Sequence, residues 1–263
     1  MNHGAIIEIE QLHCHREGKE ILRGISLEIR EGEYLSILGP NGSGKTTLLK
    51  CLIRILKGHS GMIRIAGRRV ETFPQRELAR LIAYVPQADG HSSPLTVEEF
   101  LFLARYPYLS PFANTGPIDQ DAVRLALETT EIGHLASRSL ATLSGGERQK
   151  AFIAAALAQD TKVILLDEPT TFLDPKHDAE IRRLLGRINR ERGVTLVSVT
   201  HDINAAILAG GRIAALKNGT LVFCGEPRAF LQQDVLKDLY GTAFCFVVHP
   251  ETGTRLVLPG EAR

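Results

Sequence analysis

Short apolar segments of two kinds predict the strands of this 263-residue chain. Apolar and polar residues alternate in AIIEIEQLH (5–13) and GMIRIAG (61–67), as expected of strands with one buried face. Later, VILLD (163–167) and TLVSVT (195–200) are continuous apolar runs rich in β-branched residues. Runs of this kind suit a parallel sheet that is covered on both faces.

Helical patterns fill much of the remaining sequence. DAEIRRLLGRINRE (178–191) lies between the two continuous apolar runs, so the three segments form a βαβ unit. Between residues 88 and 140, prolines separate segments with helical patterning, such as VEEFLFLAR (97–105). We therefore predict an α/β core that is interrupted by a helical lobe over residues 88–150.

Composition narrows the function classes. The chain carries 31 basic and 30 acidic residues, and its formal net charge is +1. A nucleic-acid surface usually needs a basic excess, so we expect no nucleic-acid partner. The four scattered cysteines form no CxxC pair, which argues against a disulfide or metal framework. Because no secretory signal is visible and no apolar run approaches the about 18 residues of a membrane span, we expect a soluble or peripheral protein.

The first chemical motif is GPNGSGKT, at Gly39–Thr46. It fits the pattern G-x-x-x-x-G-K-[ST] and lies between an apolar strand and a helix, the context of a phosphate-binding loop. Glycines let backbone N–H groups converge on an anion without interference from Cβ atoms. Lys45 would reach the β- and γ-phosphates, and the Thr46 hydroxyl would ligate Mg²⁺. A glycine turn that merely caps a helix is the alternative.

Two carboxylates, Asp167 and Glu168, end the apolar strand in VILLDEP. In open α/β sheets the ligand lies outside such carboxyl ends of strands. We expect Asp167 to hold Mg²⁺ through water, opposite Thr46, and Glu168 to polarise the attacking water. The alternative is a carboxylate pair solvated in the turn before Pro169, and the phosphate-binding loop makes it the weaker interpretation.

Two further polar residues, Gln87 and His201, follow predicted strands. As a neutral imidazole, His201 could bridge the γ-phosphate and the attacking water. The amide of Gln87 could sense Mg²⁺ or the water. Either residue alone is easily structural, since histidine and glutamine are common at strand ends. Lys45, Asp167, Gln87 and His201 are all predicted at one edge of the sheet, and this shared location favours a common site.

A second glycine-rich helix start is LSGGERQ, at Leu143–Gln149. Ser144 and Glu147 satisfy the capping box S-x-x-E, so a well-capped helix is one interpretation. Two glycines, however, weaken the first turn of a helix by up to ~1 kcal/mol each relative to alanine. They are explained if the backbone must lie close to an anion at the helix N-terminus. Because Lys45 already serves the nucleotide of its own chain, we expect this loop to close on the nucleotide of a second copy in a two-fold dimer.

In this order and spacing, the motifs resemble those of the ATP-binding subunits of ABC transporters. The likeness covers essentially the whole chain and rests on GPNGSGKT, VPQ, LSGGERQ, VILLDEP, TTFLD and VSVTHD. It implies an α/β P-loop NTPase fold, with a RecA-like, mostly parallel sheet, an N-terminal antiparallel β subdomain and an inserted α-helical subdomain. In residue numbers, it implies a single ATPase domain over 1–263, with a nucleotide-binding core at 1–87 and 151–240, a helical signature subdomain at 88–150 and a C-terminal extension at 241–263.

The resemblance also implies the ligands and the site residues. ATP with Mg²⁺ would be bound by the first loop and the start of its helix, at Gly39, Pro40, Asn41, Gly42, Ser43, Gly44, Lys45, Thr46 and Thr47. The remaining nucleotide contacts would come from the Q-loop, signature and D-loop residues Gln87, Ser144, Gly145, Gly146 and Asp174. Glu168, His201 and Lys45 would be catalytic, and the metal would be bound by Thr46, Gln87 and Asp167.

Finer features are similar to one branch of this family, the importers of iron–siderophore, haem or cobalamin complexes. The likeness is carried by TVEEFLFLARYPY, LDEPTTFLDPKH, HDINAA and the tail HPETGTRLVLP. It implies a homodimer of ATPase subunits, peripheral at the cytoplasmic face of the inner membrane. Two membrane-spanning permease subunits and an extracytoplasmic substrate-binding protein would complete the system. We expect the permease to dock after Gln87, within HSSPLTVEEFLFLARYPY (91–108).

Three alternative functions remain open at this point. An ABC importer for another solute would carry the same motifs. A soluble ABC-type ATPase acting on nucleic acid or ribosomes typically has two cassettes or a long coiled coil, and a P-loop kinase or GTPase would leave LSGGE unexplained. One departure from the family concerns adenine, which usually stacks on an aromatic residue after the first strand. Here that segment is HCHREGKE, where His13, His15 or Arg16 would have to substitute.

Overall fold

The computed structural model describes residues 4–87, 93–109 and 115–260. Two compact units make up the chain. The first contains the chain up to Thr72 and from Thr195 onward, and the second contains Phe73–Val194. The predicted subdomains, with boundaries at residues 88, 150 and 240, remain a prediction.

The secondary-structure elements are numbered along the chain. The first third contains β1 (Ala5–Arg16), β2 (Lys19–Arg30), β3 (Tyr34–Leu38), α1 (Lys45–Leu52), β4 (Ser60–Ile65), β5 (Arg68–Arg69), α2 (Gln75–Leu78) and β6 (Ile82–Val85). The middle contains α3 (Val97–Ala104), α4 (Pro117–Thr130), α5 (Gly145–Ala158), β7 (Val163–Asp167) and α6 (Pro175–Arg192). The last part contains β8 (Thr195–Val199), α7 (Ile203–Ala209), β9 (Arg212–Lys217), β10 (Thr220–Gly225), α8 (Pro227–Phe230), α9 (Gln233–Tyr240), β11 (Phe244–Val248) and β12 (Arg255–Pro259). Short 3-10 helices cover Val70–Thr72, Gly133–Leu135 and Leu140–Thr142.

An antiparallel sheet in the first unit has the strand order β2-β1-β4-β5. Ile7 of β1 pairs with Ile29 of β2 on one side and with Ile65 of β4 on the other. All three isoleucines are fully buried. The alternating pattern of the sequence therefore places these three side chains on one apolar face.

Four strands of a second sheet belong to this unit, in the order β10-β9-β3-β8. β3 pairs in parallel with both β8 and β9. Every residue of β3 and of β8 is buried, as their continuous apolar runs predict for strands covered on both faces. Because parallel strands have their carboxyl ends at one edge, the segments that follow Leu38 and Val199 leave the sheet at the same edge.

The helices α7, α8 and α9 cover this sheet together with the hairpin β11–β12. The fully buried side chains of Phe230, Leu236 and Ile213 belong to one apolar cluster. Asn204 of α7 donates from Nδ2 to the carbonyl of Val257 and accepts from its N–H, both at 2.9 Å. The C-terminal hairpin is therefore packed into the first unit by apolar contacts and by a paired amide.

In the second unit, β6 and β7 are parallel neighbours, with Tyr84 opposite Leu165 and Val85 opposite Leu166. The strand β6 ends at Val85, before the end of the segment LIAYVPQ (81–87). It ends there because Pro86 has no N–H with which to continue the hydrogen-bond ladder. Gln87 therefore lies two residues after the strand. The helices α3, α4 and α6 all pack against α5.

Arg105, which follows the last residue of α3, links this helix to α4 and to the C-terminal end of α5. Its side chain is buried, and Nε donates to Asp119 Oδ1 of α4 at 2.9 Å. Nη1 donates to the carbonyl of Ala158, the last residue of α5, at 2.8 Å. The hydrogen bond from Arg105 lowers the pKa of Asp119, so the carboxylate is charged at neutral pH. A buried pair of this kind is costly to break, because the remaining buried charge would lose its counter-charge.

No helix in the described part of the chain is long and apolar enough to cross a membrane. The four cysteines are free thiols. Cys14 and Cys51 are buried, whereas Cys224 and Cys245 are exposed.

Candidate active site

The first glycine-rich loop links β3 to α1 in the first unit. Its glycines have positive φ values of 150° at Gly39, 77° at Gly42 and 102° at Gly44. A Cβ atom at position 39 would lie 2.1 Å from the carbonyl oxygen of Leu216. Glycine is thus required both by the backbone conformation of the loop and by its close approach to β9.

Lys45 is the first residue of α1, and its side chain turns back over the loop. Its Nζ atom donates to the carbonyl oxygens of Gly39 and Pro40, at 2.8 and 3.0 Å. The residue is only 5% exposed. The nearby hydroxyl of Ser43 is buried and, within the described residues, has no hydrogen-bond partner. An ammonium group, an unsatisfied hydroxyl and the N-terminus of a helix together fit a bound phosphate.

The other predicted residues of this unit lie at the same edge of the sheet. Asn41 and Gly42 are exposed, and Thr46 and Thr47 are half-buried in the first turn of α1. His201 is exposed and comes two residues after β8. Because β3 and β8 are parallel neighbours, the edge that carries the glycine loop also carries His201.

The segment expected to meet adenine lies at the end of β1 and the start of β2. His13 is half-buried, and its Nδ1 atom lies 2.7 Å from Oε1 of Glu20. This hydrogen bond lowers the pKa of Glu20. His15 and Arg16 are exposed. Of the three candidates, His13 is therefore already engaged, and His15 and Arg16 are the more accessible.

In the second unit, Asp167 is the last residue of β7 and is 2% exposed. The hydroxyl of Tyr84, on β6, donates to Asp167 Oδ2 at 2.9 Å. Burial and the negative charge of Asp167 raise the pKa of Tyr84, so the phenol remains protonated and acts as the donor. The predicted metal ligand is therefore a buried carboxylate that a neighbouring strand holds by a hydrogen bond.

Glu168 follows with a left-handed backbone, at φ 49°. Its Oε2 atom accepts from the hydroxyl of Thr171 at 2.8 Å and from Nε2 of Gln87 at 3.3 Å. The predicted catalytic carboxylate and the predicted Q-loop amide are thus in direct contact. A left-handed φ is uncommon outside glycine and is consistent with a residue held in place by its surroundings.

The second glycine-rich loop forms the N-terminus of α5. Ser144 is the N-cap residue, and its Oγ accepts from the N–H of Glu147 at 3.3 Å. In return, Glu147 Oε2 accepts from the N–H and the hydroxyl of Ser144, both at 2.8 Å. These bonds lower the pKa of Glu147, the backbone N–H contributing most. The capping box that the sequence predicts is present.

Gly146 has a packing role that the sequence reasoning missed. A Cβ atom at this position would lie 2.4 Å from Cδ2 and 2.7 Å from Cγ of His177. A Cβ atom at Gly145 would meet only Leu173 Cδ2, at an ordinary 3.5 Å. A close anion is therefore not needed to explain Gly146, although Gly145, which is exposed, has no such packing reason.

His177 is held by the predicted D-loop residue Asp174. Asp174 caps α6 and accepts from the N–H of His177 at 2.9 Å. Its second carboxylate oxygen lies 2.7 Å from Nδ1 of the same histidine. These hydrogen bonds lower the pKa of Asp174, the one from the backbone N–H being the largest cause. Asp174 thus orients the ring that lies on Gly146.

Three residues of the second unit escaped the sequence analysis: Tyr84, Thr171 and His177. Tyr84 was detectable as the one hydroxyl in the apolar run LIAYVPQ, which runs parallel to the strand of Asp167. Thr171 and His177 follow VILLDEP closely, but no spacing rule pairs them with Glu168 and Gly146. Their contacts depend on the path of the chain after β7.

No group of three or more His, Cys, Asp or Glu side chains that could hold a metal occurs within residues 4–87, 93–109 and 115–260. Mg²⁺ usually takes one or two protein oxygens and completes its octahedron with waters and substrate phosphates. The Asp167 carboxylate and the Thr46 hydroxyl are hard oxygen donors of this kind. Each of these two residues therefore suits a magnesium–nucleotide complex better than a metal held by protein ligands alone.

Comparison with known families agrees with these features. The sequence model described as ABC transporter matches residues 22–171. The chain is 38% identical over 250 residues to the ferric enterobactin transport ATP-binding protein FepC of Escherichia coli (strain K12), covering 95% of this chain and 92% of that protein. It is 36% identical to the iron(3+)-hydroxamate import ATP-binding protein FhuC of Bacillus subtilis (strain 168), covering 96% and 94%. It is also 36% identical to the hemin import ATP-binding protein HmuV of Streptomyces coelicolor, covering 94% and 88%.

Solved structures show the same fold. A metal-chelate type ABC transporter in an inward-facing conformation matches with a TM-score of 0.85 and 26% identity, covering 97% of this chain and 98% of that chain. A dimeric ATP-binding cassette in a post-hydrolysis state, bound to ADP and Pi, matches with a TM-score of 0.73 and 32% identity, covering 84% and 99%. The predicted fold class, an α/β P-loop NTPase core with an antiparallel β part and a helical part, is confirmed.

The packing role of Gly146 is testable by unfolding. Gly146→Ala should lower the melting temperature clearly, because the new methyl group overlaps the ring of His177. Gly145→Ala is the matched control and should change the melting temperature little. In the double variant Gly146→Ala/His177→Ala, most of the loss should be recovered, as measured by calorimetry. A loss that His177→Ala does not reduce would contradict this packing role.

Proposed function

The chain belongs to the ABC transporter family as one of its ATP-hydrolysing subunits, and we propose that it powers the import of an iron chelate (a siderophore), haem or cobalamin complex. The cargo is inferred from the relatives, which are named for ferric enterobactin, iron(3+)-hydroxamate and hemin. An importer for a different solute is the alternative. The chain itself contributes the energy of ATP and does not contact the cargo.

The observation that carries the proposal is that two helices begin with glycine-rich loops whose polar side chains make different contacts. The loop before α1 has a buried lysine and an unsatisfied serine hydroxyl, as a phosphate-binding loop requires. The loop before α5 has its serine hydroxyl in a capping box and presents exposed backbone at Ser144 and Gly145. The first loop suits the binding of a nucleotide. The second loop suits the covering of a nucleotide that is already bound by a loop of the first kind.

For substrate binding, we assign the phosphates to the loop from Gly39 to Thr46. Lys45 exchanges its bonds to the loop carbonyls for the β- and γ-phosphate oxygens, and the helix N-terminus adds to the attraction. Thr46, Gln87 and Asp167 would hold Mg²⁺ in this proposal. When bound, Mg²⁺ would supply positive charge that neutralises the negative charge developing on the phosphates.

For hydrolysis, we assign the general base or water-positioning role to Glu168. The bonds from Thr171 and Gln87 fix the position of one of its carboxylate oxygens. His201 orients the γ-phosphate and the water from the edge of the sheet. Lys45 and the loop N–H groups stabilise the charge of the phosphoryl group as it transfers.

The site is completed by a second copy of the chain. The loop of one copy that contains Ser144, Gly145 and Gly146 closes on the nucleotide of the other copy. Asp174 lies near this loop, because it hydrogen-bonds to His177, whose ring packs against Gly146. A two-fold dimer of this kind contains two equivalent sites, because each copy gives one loop of each type. The dimeric cassette among the similar structures supports this proposal.

The membrane partners follow from the family. We propose that two of these subunits lie against two permease subunits at the cytoplasmic face of the inner membrane, with an extracytoplasmic substrate-binding protein delivering the cargo. The predicted permease contact at residues 91–108 begins outside the described residues. In its described part, Leu103 and Tyr106 are exposed apolar side chains, consistent with a docking role.

Glu168→Gln tests the hydrolytic site and the dimer together. The variant keeps the side-chain volume but removes the carboxylate, so ATP should still bind. Hydrolysis should fall by about 100-fold or more, the typical contribution of a general base. An ATP-bound dimer should accumulate, as measured by phosphate release and by light scattering at saturating ATP.

Two further variants serve as controls for this experiment. Glu191→Gln removes an exposed carboxylate of α6 and should behave as the wild type. Lys45→Ala should lose ATP binding and stay monomeric. A Glu168→Gln protein that remains monomeric at saturating ATP would argue against the shared site, and undiminished ATP affinity in Lys45→Ala would remove Lys45 from the phosphate contact.

The cargo is tested by reconstitution with the two permease subunits that the proposed importer requires. In proteoliposomes, a binding protein loaded with an iron chelate should stimulate both ATP hydrolysis and uptake of the chelate, as measured with radioactive iron. The iron-free chelator should stimulate less. Stimulation by a sugar or an amino acid, with none by any iron chelate, haem or cobalamin, would overturn the cargo and leave the ATPase assignment intact.

A further inference from the structure

We propose that Tyr84 is a positioning residue for the Mg²⁺ site, acting through the hydrogen bond from its hydroxyl to Asp167 Oδ2. The inference rests on the proposed function, since it takes Asp167 as a metal ligand. The bond measures 2.9 Å and joins two neighbouring strands. Tyr84 itself is not assigned to the nucleotide, the metal or the water.

The strand register explains how the phenol reaches the carboxylate. Tyr84 lies opposite Leu165 in the parallel pair β6–β7, so the two side chains share one face. Asp167 follows Leu165 by two residues and lies on the same face. A tyrosine is long enough to reach such a diagonal neighbour, whereas a shorter hydroxyl residue would not be.

Burial makes this hydrogen bond consequential. Asp167 is 2% exposed, and a buried carboxylate is costly unless hydrogen bonds or a cation offset the loss of water. The hydrogen bond from the Tyr84 hydroxyl therefore restricts rotation of the Asp167 carboxylate about its side-chain bonds.

That restriction affects the metal in a specific way. Mg²⁺ demands nearly ideal octahedral geometry, so the direction of each oxygen ligand matters. Groups that hydrogen-bond to metal ligands typically change metal affinity by about 10- to 100-fold when they are mutated. Removal of the Tyr84 hydroxyl should thus weaken Mg²⁺ binding while leaving the phosphate contacts of the first loop in place.

The experiment compares Tyr84→Phe with Tyr108→Phe in the full-length chain. Tyr108 is a matched control, because its hydroxyl also makes one hydrogen bond of similar length, 3.0 Å, but to the backbone carbonyl of Asp160. Mg²⁺ is titrated into each protein in the presence of a non-hydrolysable ATP analogue, and calorimetry reports binding. The half-saturating Mg²⁺ concentration should rise about tenfold in Tyr84→Phe and stay at the wild-type value in Tyr108→Phe. Affinity for the analogue in EDTA should be the same in all three proteins.

A double-mutant cycle separates positioning from general stability. If Tyr84 acts through Asp167, then Tyr84→Phe should have no further effect on Mg²⁺ binding once Asp167→Asn is present. Each variant is also scored by the rise in melting temperature that Mg²⁺ adds to bound analogue, relative to its own baseline. A variant that is less stable therefore still reports on the metal.

The outcomes distinguish this inference from the function it rests on. Equal Mg²⁺ dependence in Tyr84→Phe and the wild type would overturn the role of Tyr84 alone. An equal loss of Mg²⁺ affinity in Tyr84→Phe with and without Asp167→Asn would show that the hydroxyl does not act through Asp167. Wild-type protein that binds the analogue equally well with and without Mg²⁺ would instead contradict the metal site in the proposed function.

Discussion

The proposed binding of a phosphate at the N-terminus of α1 is the constraint on which the arrangement of the first glycine-rich loop depends. A loop that presents N–H groups to a phosphate must keep its backbone bare, and Gly39 shows the constraint most clearly. Its φ of 150° and the carbonyl oxygen of Leu216, 2.1 Å from any Cβ, exclude every other residue. β3 must be buried on both faces to hold the loop rigidly, and its five buried residues meet that need. In the proposed site, Lys45 supplies the positive charge that attracts the phosphate. Because Lys45 is buried, water screens this charge little.

The second unit solves a different problem, which is to hold two carboxylates in fixed positions. Asp167 is buried at the end of β7 and receives the Tyr84 hydroxyl. Glu168 has a left-handed backbone conformation, and one of its carboxylate oxygens accepts hydrogen bonds from Thr171 and Gln87. Both arrangements limit the freedom of groups that must be ready before the substrate arrives, which is how preorganised sites reduce the cost of reaction. Gln87 donates directly to Glu168, so a movement of the chain after β6 would displace a hydrogen-bond donor of the proposed catalytic carboxylate.

Local chemistry determined how much could be predicted from sequence. GPNGSGKT, VILLDEP and the Ser144–Glu147 capping box depend on neighbours within a few residues, and the strand, helix and cap they predict are present. The Tyr84–Asp167 bond joins residues 83 positions apart, and only the register of β6 on β7 brings them together. The packing of Gly146 could not be predicted because His177 reaches it from α6, and no local rule places a ring there. The roles of the site residues, and the subdomain boundaries, stay predictions.

The central claim is that one nucleotide is bound by the Lys45 loop of one copy and the Ser144 loop of another. Mixing Ser144→Arg subunits with Lys45→Ala subunits tests it most directly. In a mixed dimer, one site carries both lesions and the other carries neither. The account predicts that the mixture regains ATP hydrolysis that neither variant shows alone. A mixture as inactive as its separate components, although mixed dimers are detected, would contradict it, because each chain would then rely on its own serine loop.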